Sequence, residues 1–193
     1  MLKKSLLLAT VFCLAFVQLG IGQTSYNLKS YKITIKGTSN LHDWSADVKK
    51  MGVASNLNIT EGSLSGITTA MIDIDAATLE ASEGSIMSGK MRSALNAEKY
   101  PKITFSASNL SIPAQASGEF STTIMGNLTI SGTTQKVSLP VKVRILANGE
   151  VEFSGSQKFK MTSFKVTPPT AMFGAMKTGD EVNIVYLITL KKG

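Results

Sequence analysis

The sequence predicts an all-β protein: about eight antiparallel strands forming a sandwich or closed barrel, interrupted by one short amphipathic helix. Three observations predict it. Apolar and polar residues alternate with period two over most of the chain. Turn-forming residues separate the alternating runs. A single stretch, about residues 83–96, changes to helical spacing. At roughly 100–200 residues per domain, 193 residues fit one domain. No linker divides the series, and no repeat or low-complexity segment occurs.

The alternation runs in order. Tyr31, Ile33 and Ile35 alternate with Lys32, Thr34 and Lys36. Leu57–Thr60 and Gly66–Ile74 flank Glu61-Gly-Ser-Leu-Ser and read as a hairpin. From Ser82 to Asn96, apolar residues Met87, Met91, Ala94 and Leu95 fall at i, i+4, i+7 and i+8, which is a helical stripe. Ser82 is the expected N-cap, and Glu83 suits the positive end of the helix dipole. Pro101 stops the helix and starts the next strand. Ile103 and Phe105 alternate again, as do Phe120, Ile124, Leu128 and Ile130. Val137, Leu139, Val141, Val143 and Ile145 follow after Ser131-Gly-Thr-Thr. Asn148-Gly149 is a strong hairpin signal before Val151, Phe153 and Phe159. Thr178-Gly179-Asp180 reads as a turn before Val182, Ile184, Tyr186, Ile188 and Leu190. β-Branched and aromatic residues on one parity mean half-buried strands, with one face on an apolar interior.

The N-terminus reads as a targeting segment. Lys3 and Lys4 precede an apolar run, Ser5 to Val17, too short for the about 20 residues of a spanning helix. Gly20 and Gly22 put small residues before a cut after Gly22. The expectation is a signal peptide over 1–22, a mature domain over 23–193, and a secreted or periplasmic location. Cleavage removes Cys13, the only cysteine, and leaves no thiol, as suits an oxidising compartment. It also removes two lysines and no acid, lowering the formal net charge of +7 by two. The remaining charge serves solubility and could favour transient contact with an anionic membrane surface.

Chemistry-bearing residues are scarce. One His and one Cys exclude a Cys/His zinc site and a disulfide framework. His42-Asp43-Trp44 carries the single His, but adjacent strand residues face opposite ways, and a lone His needs a partner. A strand end with Trp44 on the rim is the better reading. Asp73, Asp75, Glu80 and Glu83 lack calcium-loop spacing and read as capping and solvated acids. Asn58-Ile-Thr60 and Asn127-Leu-Thr129 match the glycosylation pattern by chance, inside strands. No phosphate loop or dinucleotide fingerprint occurs, and the lysines form no nucleic-acid patch. We therefore expect no cofactor, no metal, no catalytic residue and no nucleic-acid partner.

Two segments carry a family resemblance. Glu98-Lys-Tyr-Pro-Lys-Ile-Thr-Phe105 resembles the KYPxITF strand start of the YceI-like family. Gly126-Asn-Leu-Thr-Ile-Ser-Gly-Thr-Thr-Gln-Lys-Val-Ser-Leu-Pro140 resembles its GxLTIxGxTxxVxLPV strand pair. The resemblance spans most of residues 26 to 190. It implies a lipocalin-like antiparallel β-barrel, exported to the periplasm, that holds a polyisoprenoid-type amphiphile and is not an enzyme. The family's Arg-Asp pair in the helix region is replaced by Lys90-Met-Arg92-Ser93, and its later Asp-Arg by Phe159-Lys-Met-Thr-Ser-Phe164. Gly37-Thr-Ser-Asn-Leu-His-Asp-Trp44 is a variant first strand.

The expected function is therefore transport or storage of an isoprenoid or fatty-acyl amphiphile in an eight-stranded barrel. The expected pocket is the inward parity set: Ile33, Ile35, Ile103, Phe105, Ile124, Leu128, Val141, Val143, Phe153, Ile184, Tyr186 and Ile188. Met87, Met91 and Leu95 of the helix stripe and Met172 and Phe173 after Thr167-Pro-Pro-Thr are the expected portal, since flexible Met side chains suit varied apolar ligands. Two rival readings are an enzyme using His42 or an interior carboxylate on a small hydrophobic substrate, and a structural stress protein with a solidly packed barrel.

Overall fold

The computed structural model describes residues 24–60, 62–113 and 118–193. The expected signal peptide, Cys13 included, lies outside the described residues. Eight long strands form a closed barrel: β1 Thr24–Ser39, β3 Met51–Thr60, β4 Ser63–Asp75, β6 Lys102–Ser111, β7 Glu119–Ile130, β8 Thr133–Ile145, β9 Val151–Lys160 and β11 Met176–Lys192. Neighbours pair antiparallel in the order β11-β9-β8-β7-β6-β4-β3-β1, and β1 pairs back onto β11 to close the ring. Closure removes the open sheet edges that would otherwise invite pairing with other chains. Three short strands, β2 Trp44–Asp47, β5 Glu80–Ala81 and β10 Thr170–Ala171, gather at one end with the helix α1, Ser85–Ala94. We call this the mouth end.

Local chemistry explains the turns. Ser131 and Gly132 both have positive φ, 48° and 73°, so the β7–β8 connection is a two-residue hairpin turn of the kind that matches strand twist. The Thr178-Gly179-Asp180 segment corrects the expectation: it is not a turn but lies inside β11. Gly37 faces Val182 while Ser39 faces Thr178, so β11 bulges there against β1. A bulge adds residues to one strand and bends it, so glycine and a polar residue serve there as they would in a turn. Asp180 anchors the bulge by accepting from the Thr162 amide and hydroxyl at 2.9 and 2.6 Å. These bonds lower the Asp180 pKa below the ordinary carboxylate value.

The helix also differs from expectation at its start. It begins at Ser85, with Gly84 at its N-cap and no side-chain cap bond. Ser82 is not the cap; its amide donates to the Ser45 carbonyl at 2.9 Å, tying the approach to α1 onto β2, and its hydroxyl has the same carbonyl at 3.1 Å and the Glu83 carboxylate at 2.8 Å as alternative acceptors. Glu83 precedes the first turn. The capping role expected of the acidic stretch falls to Asp75, which accepts from the Ala77 amide at 3.1 Å and starts a short 3-10 turn. Asp73 and Glu80 pair with Lys102 and Lys49 at 3.1 and 3.3 Å.

Strand pairing is uneven around the ring. The β8–β9 ladder runs only from Lys142–Ser154 to Ile145–Val151. Beyond it stands Pro140, which has no amide hydrogen to donate. The Tyr186 hydroxyl crosses from β11 and donates to the Pro140 carbonyl at 2.6 Å. Gly155, the partner of Tyr186 across the β9–β11 ladder, makes room for this crossing, since a Cβ there would stand 2.6 Å from the tyrosine oxygen. The two strands separate toward the mouth, and the 3-10 turn Met161–Phe164 packs its Phe164 ring edge-on to Phe159, with centroids 6.0 Å apart.

The opposite end is closed. The β3–β4 and β8–β9 hairpins converge there, and Leu64, Val143 and Val151 are wholly buried, with Ile112 at 6% exposure. Each such side chain contributes roughly 1.5–3 kcal/mol on burial.

Candidate functional site

A cavity of about 650 Å³ runs from the mouth down the barrel to Leu57, Ile67, Phe153 and Leu190. Ligand pockets for small molecules are typically about 300–1,000 Å³. Its wall is almost entirely apolar because the inward parity of every long strand carries Ile, Leu, Val or Phe. Ile33 and Ile35 line it from β1, Ile103 and Phe105 from β6, Ile124 and Leu128 from β7, and Val141 from β8. Phe153 lines it from β9, and Ile184, Tyr186 and Ile188 from β11. α1 lies at the mouth with Met87, Met91, Ala94 and Leu95 on the cavity, the stripe its spacing set out. Ser131 donates to the Leu95 carbonyl at 2.6 Å and fixes the end of α1 to the β7–β8 turn.

Two residues expected at the site stand elsewhere. Val143 has the inward parity but lies deeper, at 0% exposure in the closed end, with no surface on the cavity. Phe173 is fully exposed and outside the lining, on a short turn where its φ is positive, 55°. The Met172 side chain lies outside what is described. Met176 and Pro169, on either side of that turn, do line the cavity.

The β3–β4 side of the wall was missed in the sequence. Val53, Leu57, Ile67, Ala70, Ile72 and Ile74 all line the cavity. Two register shifts explain the omission. β4 carries an extra residue against β3 between Leu64 and Gly66, and another between Ile67 and Thr69. Each bulge slips the alternation by one, so Leu64, Ile67 and Ala70 all turn inward despite their odd spacing. Leu79 and Phe164 were missed because they come from irregular segments.

The polar groups sit mainly on the rim. His42, Glu83, Lys90 and Lys160 border the cavity with Ser39 and Thr178. His42 Nδ1 is 2.8 Å from the main-chain oxygen of Asp43, not its carboxylate. The Trp44 indole donates to the Thr38 carbonyl at 3.0 Å and lies flat over Gly37, where a Cβ would meet the ring at 2.2 Å. This is the rim position its sequence context suggested. Deeper in the wall, Tyr186 is the main titratable group, and burial pushes its pKa up to about 12. Its hydroxyl is already committed to Pro140. Among the described residues, no group of three His, Cys, Asp or Glu side chains could hold a metal ion.

A closed eight-stranded barrel with a helix at the mouth of an apolar cavity agrees with the family comparison. The model of the YceI-like domain matches residues 23–190. This chain belongs to the YceI-like family. Solved structures show the same fold at low identity. BcnA from Burkholderia cenocepacia superposes with a TM-score of 0.63 at 21% identity, covering 82% of this chain and 95% of that one. A polyisoprenoid binding domain from Saccharophagus degradans, implicated in plant cell wall breakdown, gives 0.66 at 12% identity, covering 88% and 99%. The Campylobacter jejuni YCEI protein gives 0.58 at 18% identity, covering 77% and 84%. No curated protein matches the sequence. The family membership accords with the strand motifs at Glu98–Phe105 and Gly126–Pro140.

Proposed function

We propose that this protein is a carrier or store that holds the chain of a polyisoprenoid or fatty-acyl amphiphile in its barrel after export to the periplasm or beyond. The observation that carries the reading is the cavity: about 650 Å³, apolar along most of its depth apart from Ser55 and the Tyr186 hydroxyl, with its charged groups at the rim. Such a space suits a long hydrocarbon tail with its head at the mouth. The energetics set the length. Each buried methylene contributes about 0.8 kcal/mol, and association costs on the order of 4–15 kcal/mol. Ten carbons contribute about 8 kcal/mol and roughly break even, while about twenty bind usefully without an ion pair. The polyisoprenoid binding domain of the same fold supports an isoprenoid tail as the first candidate. The Lys3-Lys4 start, the apolar run and the Gly22 boundary support export.

The protein does this with no turnover of its own, so His42 is dispensable. The test is native mass spectrometry of protein purified gently from its host, followed by lipid extraction, with N-terminal sequencing of the same sample. A long-chain amphiphile on a chain starting near Gln23 is expected. A bare protein that takes up no lipid, or one that retains Met1 on a membrane pellet, would defeat the corresponding half of the reading.

A further inference from the structure

We propose that the mouth end is a docking surface for an anionic lipid bilayer, into which three side chains insert around the cavity opening. Seven large apolar residues are exposed among the described residues: Met71, Met125, Val185 and Leu187 on the outer wall of the long strands, and three at the mouth. Leu41, Ile86 and Phe173 are 59%, 76% and fully exposed. They come from three separate segments, all at the mouth. Leu41 precedes the rim residue His42, Ile86 itself borders the cavity, and Phe173 lies between Pro169 and Met176 of the lining.

Hydrogen bonds hold these segments together. Asn40, next to Leu41, donates its side-chain amide to the Ala175 carbonyl at 2.8 Å and accepts from the Lys177 amide at 2.8 Å. Its own amide donates to the Lys177 carbonyl at 3.1 Å. The Leu41 loop and the Phe173 turn are therefore one unit. The Ser82–Ser45 bonds join the approach to α1, and so Ile86, to the same rim. Phe173 keeps a left-handed backbone, unusual for a bulky residue, while its ring makes no use of the interior. A ring held out at such a backbone is the kind of local strain that marks ligand contacts.

Charge identifies the occupant. Lys90, Lys160, Lys165 and Lys177 stand at this end, and none forms an ion pair among the described residues. Of the acids here, Glu181 pairs with Lys158 at 2.8 Å, while Asp180 and Glu83 accept from Thr162 and from the Ser82 hydroxyl and keep their charge, with Lys160 near Asp180, so the four lysines outnumber the unpaired acids only slightly. Asp43 is the remaining carboxylate, and its side chain has no hydrogen bond or ion pair of its own among the described interactions. Separate apolar points set among lysines that make no direct ion pair fit shallow insertion beneath anionic headgroups, where the lysine heads stay at the headgroup level. A protein interface core would instead be depleted of charge. The apolar surface continues from Ile86 through Met87 and Met91 into the cavity, so a docked mouth opens onto acyl chains.

The test is flotation with vesicles of phosphatidylcholine alone and of phosphatidylcholine mixed with phosphatidylglycerol. The protein should float with the mixed vesicles at low salt, and release at high salt. Lys90→Gln, Lys160→Gln and Lys177→Gln should each weaken binding about five-fold. Leu41→Ser with Phe173→Ser should abolish it, and Met71→Ser with Met125→Ser, equally exposed on the outer wall, should leave it unchanged. If the apolar variants fail to fold, the surface lysine variants still decide. Parent protein that ignores both vesicles, or binds both alike, overturns the proposal. So does rim variants floating like the parent, or a solution dimer that the rim variants split, which would assign the surface to a second copy. Flotation does not require an occupied cavity, so lipid-free protein that docks would defeat the carrier reading alone.

Discussion

At the closed end of the barrel, Leu64, Val143 and Val151 are wholly buried and fill the space between the strands. At the mouth end, Ile35, Ile103, Leu128 and Ile184 belong to the same ring and the same inward parity, yet each keeps surface facing the cavity. Composition does not separate the two sets. Strand geometry does. At the closed end, the β3–β4 and β8–β9 hairpins bring residues from neighbouring strands into one layer. Toward the mouth, the β8–β9 ladder stops at Lys142–Ser154 and β11 bulges against β1, so the wall widens. The same alternating code can therefore build a packed core or a hollow one, and the irregularities choose between them.

The comparison breaks most readily at the closed end. Leu64→Ala should cost about 2–5 kcal/mol, because nothing can refill the layer. Val143→Trp should cost about 1–3 kcal/mol or more by overpacking. Denaturant unfolding checks both. Ile124→Trp, on the cavity, should fall below that range and instead reduce co-purified lipid. A loss as large as that of Val143→Trp would erase the distinction between the ends.

Tyr186 sharpens the comparison with a smaller effect. Tyr186→Phe removes the bond to the Pro140 carbonyl and should cost about 0.5–1.5 kcal/mol. The pH dependence has a definite sign. The tyrosine pKa is raised from 10.0 to about 12 by burial, so the unfolded chain releases this proton first. Stability from the neutral hydroxyl is complete below pH 10 and is lost as pH rises toward 12. Thermal melts over that window should fall more steeply for the parent than for Tyr186→Phe. The smallest effect belongs to His42→Ala at the rim, which should change stability by less than about 0.5 kcal/mol. Lipid retention should also be unchanged; a loss of lipid there would assign His42 a part in holding the headgroup.

The sequence made the strands, the helix stripe and most of the wall legible because one buried face leaves a period-two signature. Ile33, Ile103 and Ile184 could be placed on the inside from parity alone. Parity gives the side of the sheet and not the depth along the barrel, so Val143 and Ile124 looked alike. It also fails at bulges, which hid Ile67 and Ala70 and made Thr178-Gly179-Asp180 resemble a turn. The Ser82 cap was misplaced because its amide finds Ser45, a partner 37 residues away in sequence. Phe173 was misread because composition marks an apolar turn without saying which of its side chains faces the cavity.

The most direct test of a hollow, chain-holding mouth is affinity against chain length. Saturated fatty acids and linear prenols of increasing length would be titrated by displacement of an apolar dye. The account predicts that each added methylene tightens binding about four-fold until the chain fills the cavity, and that affinity then levels off. In Ile124→Trp the plateau should come at a shorter chain. No dependence on chain length, or a rise with no plateau, would contradict a barrel that is open above and closed below.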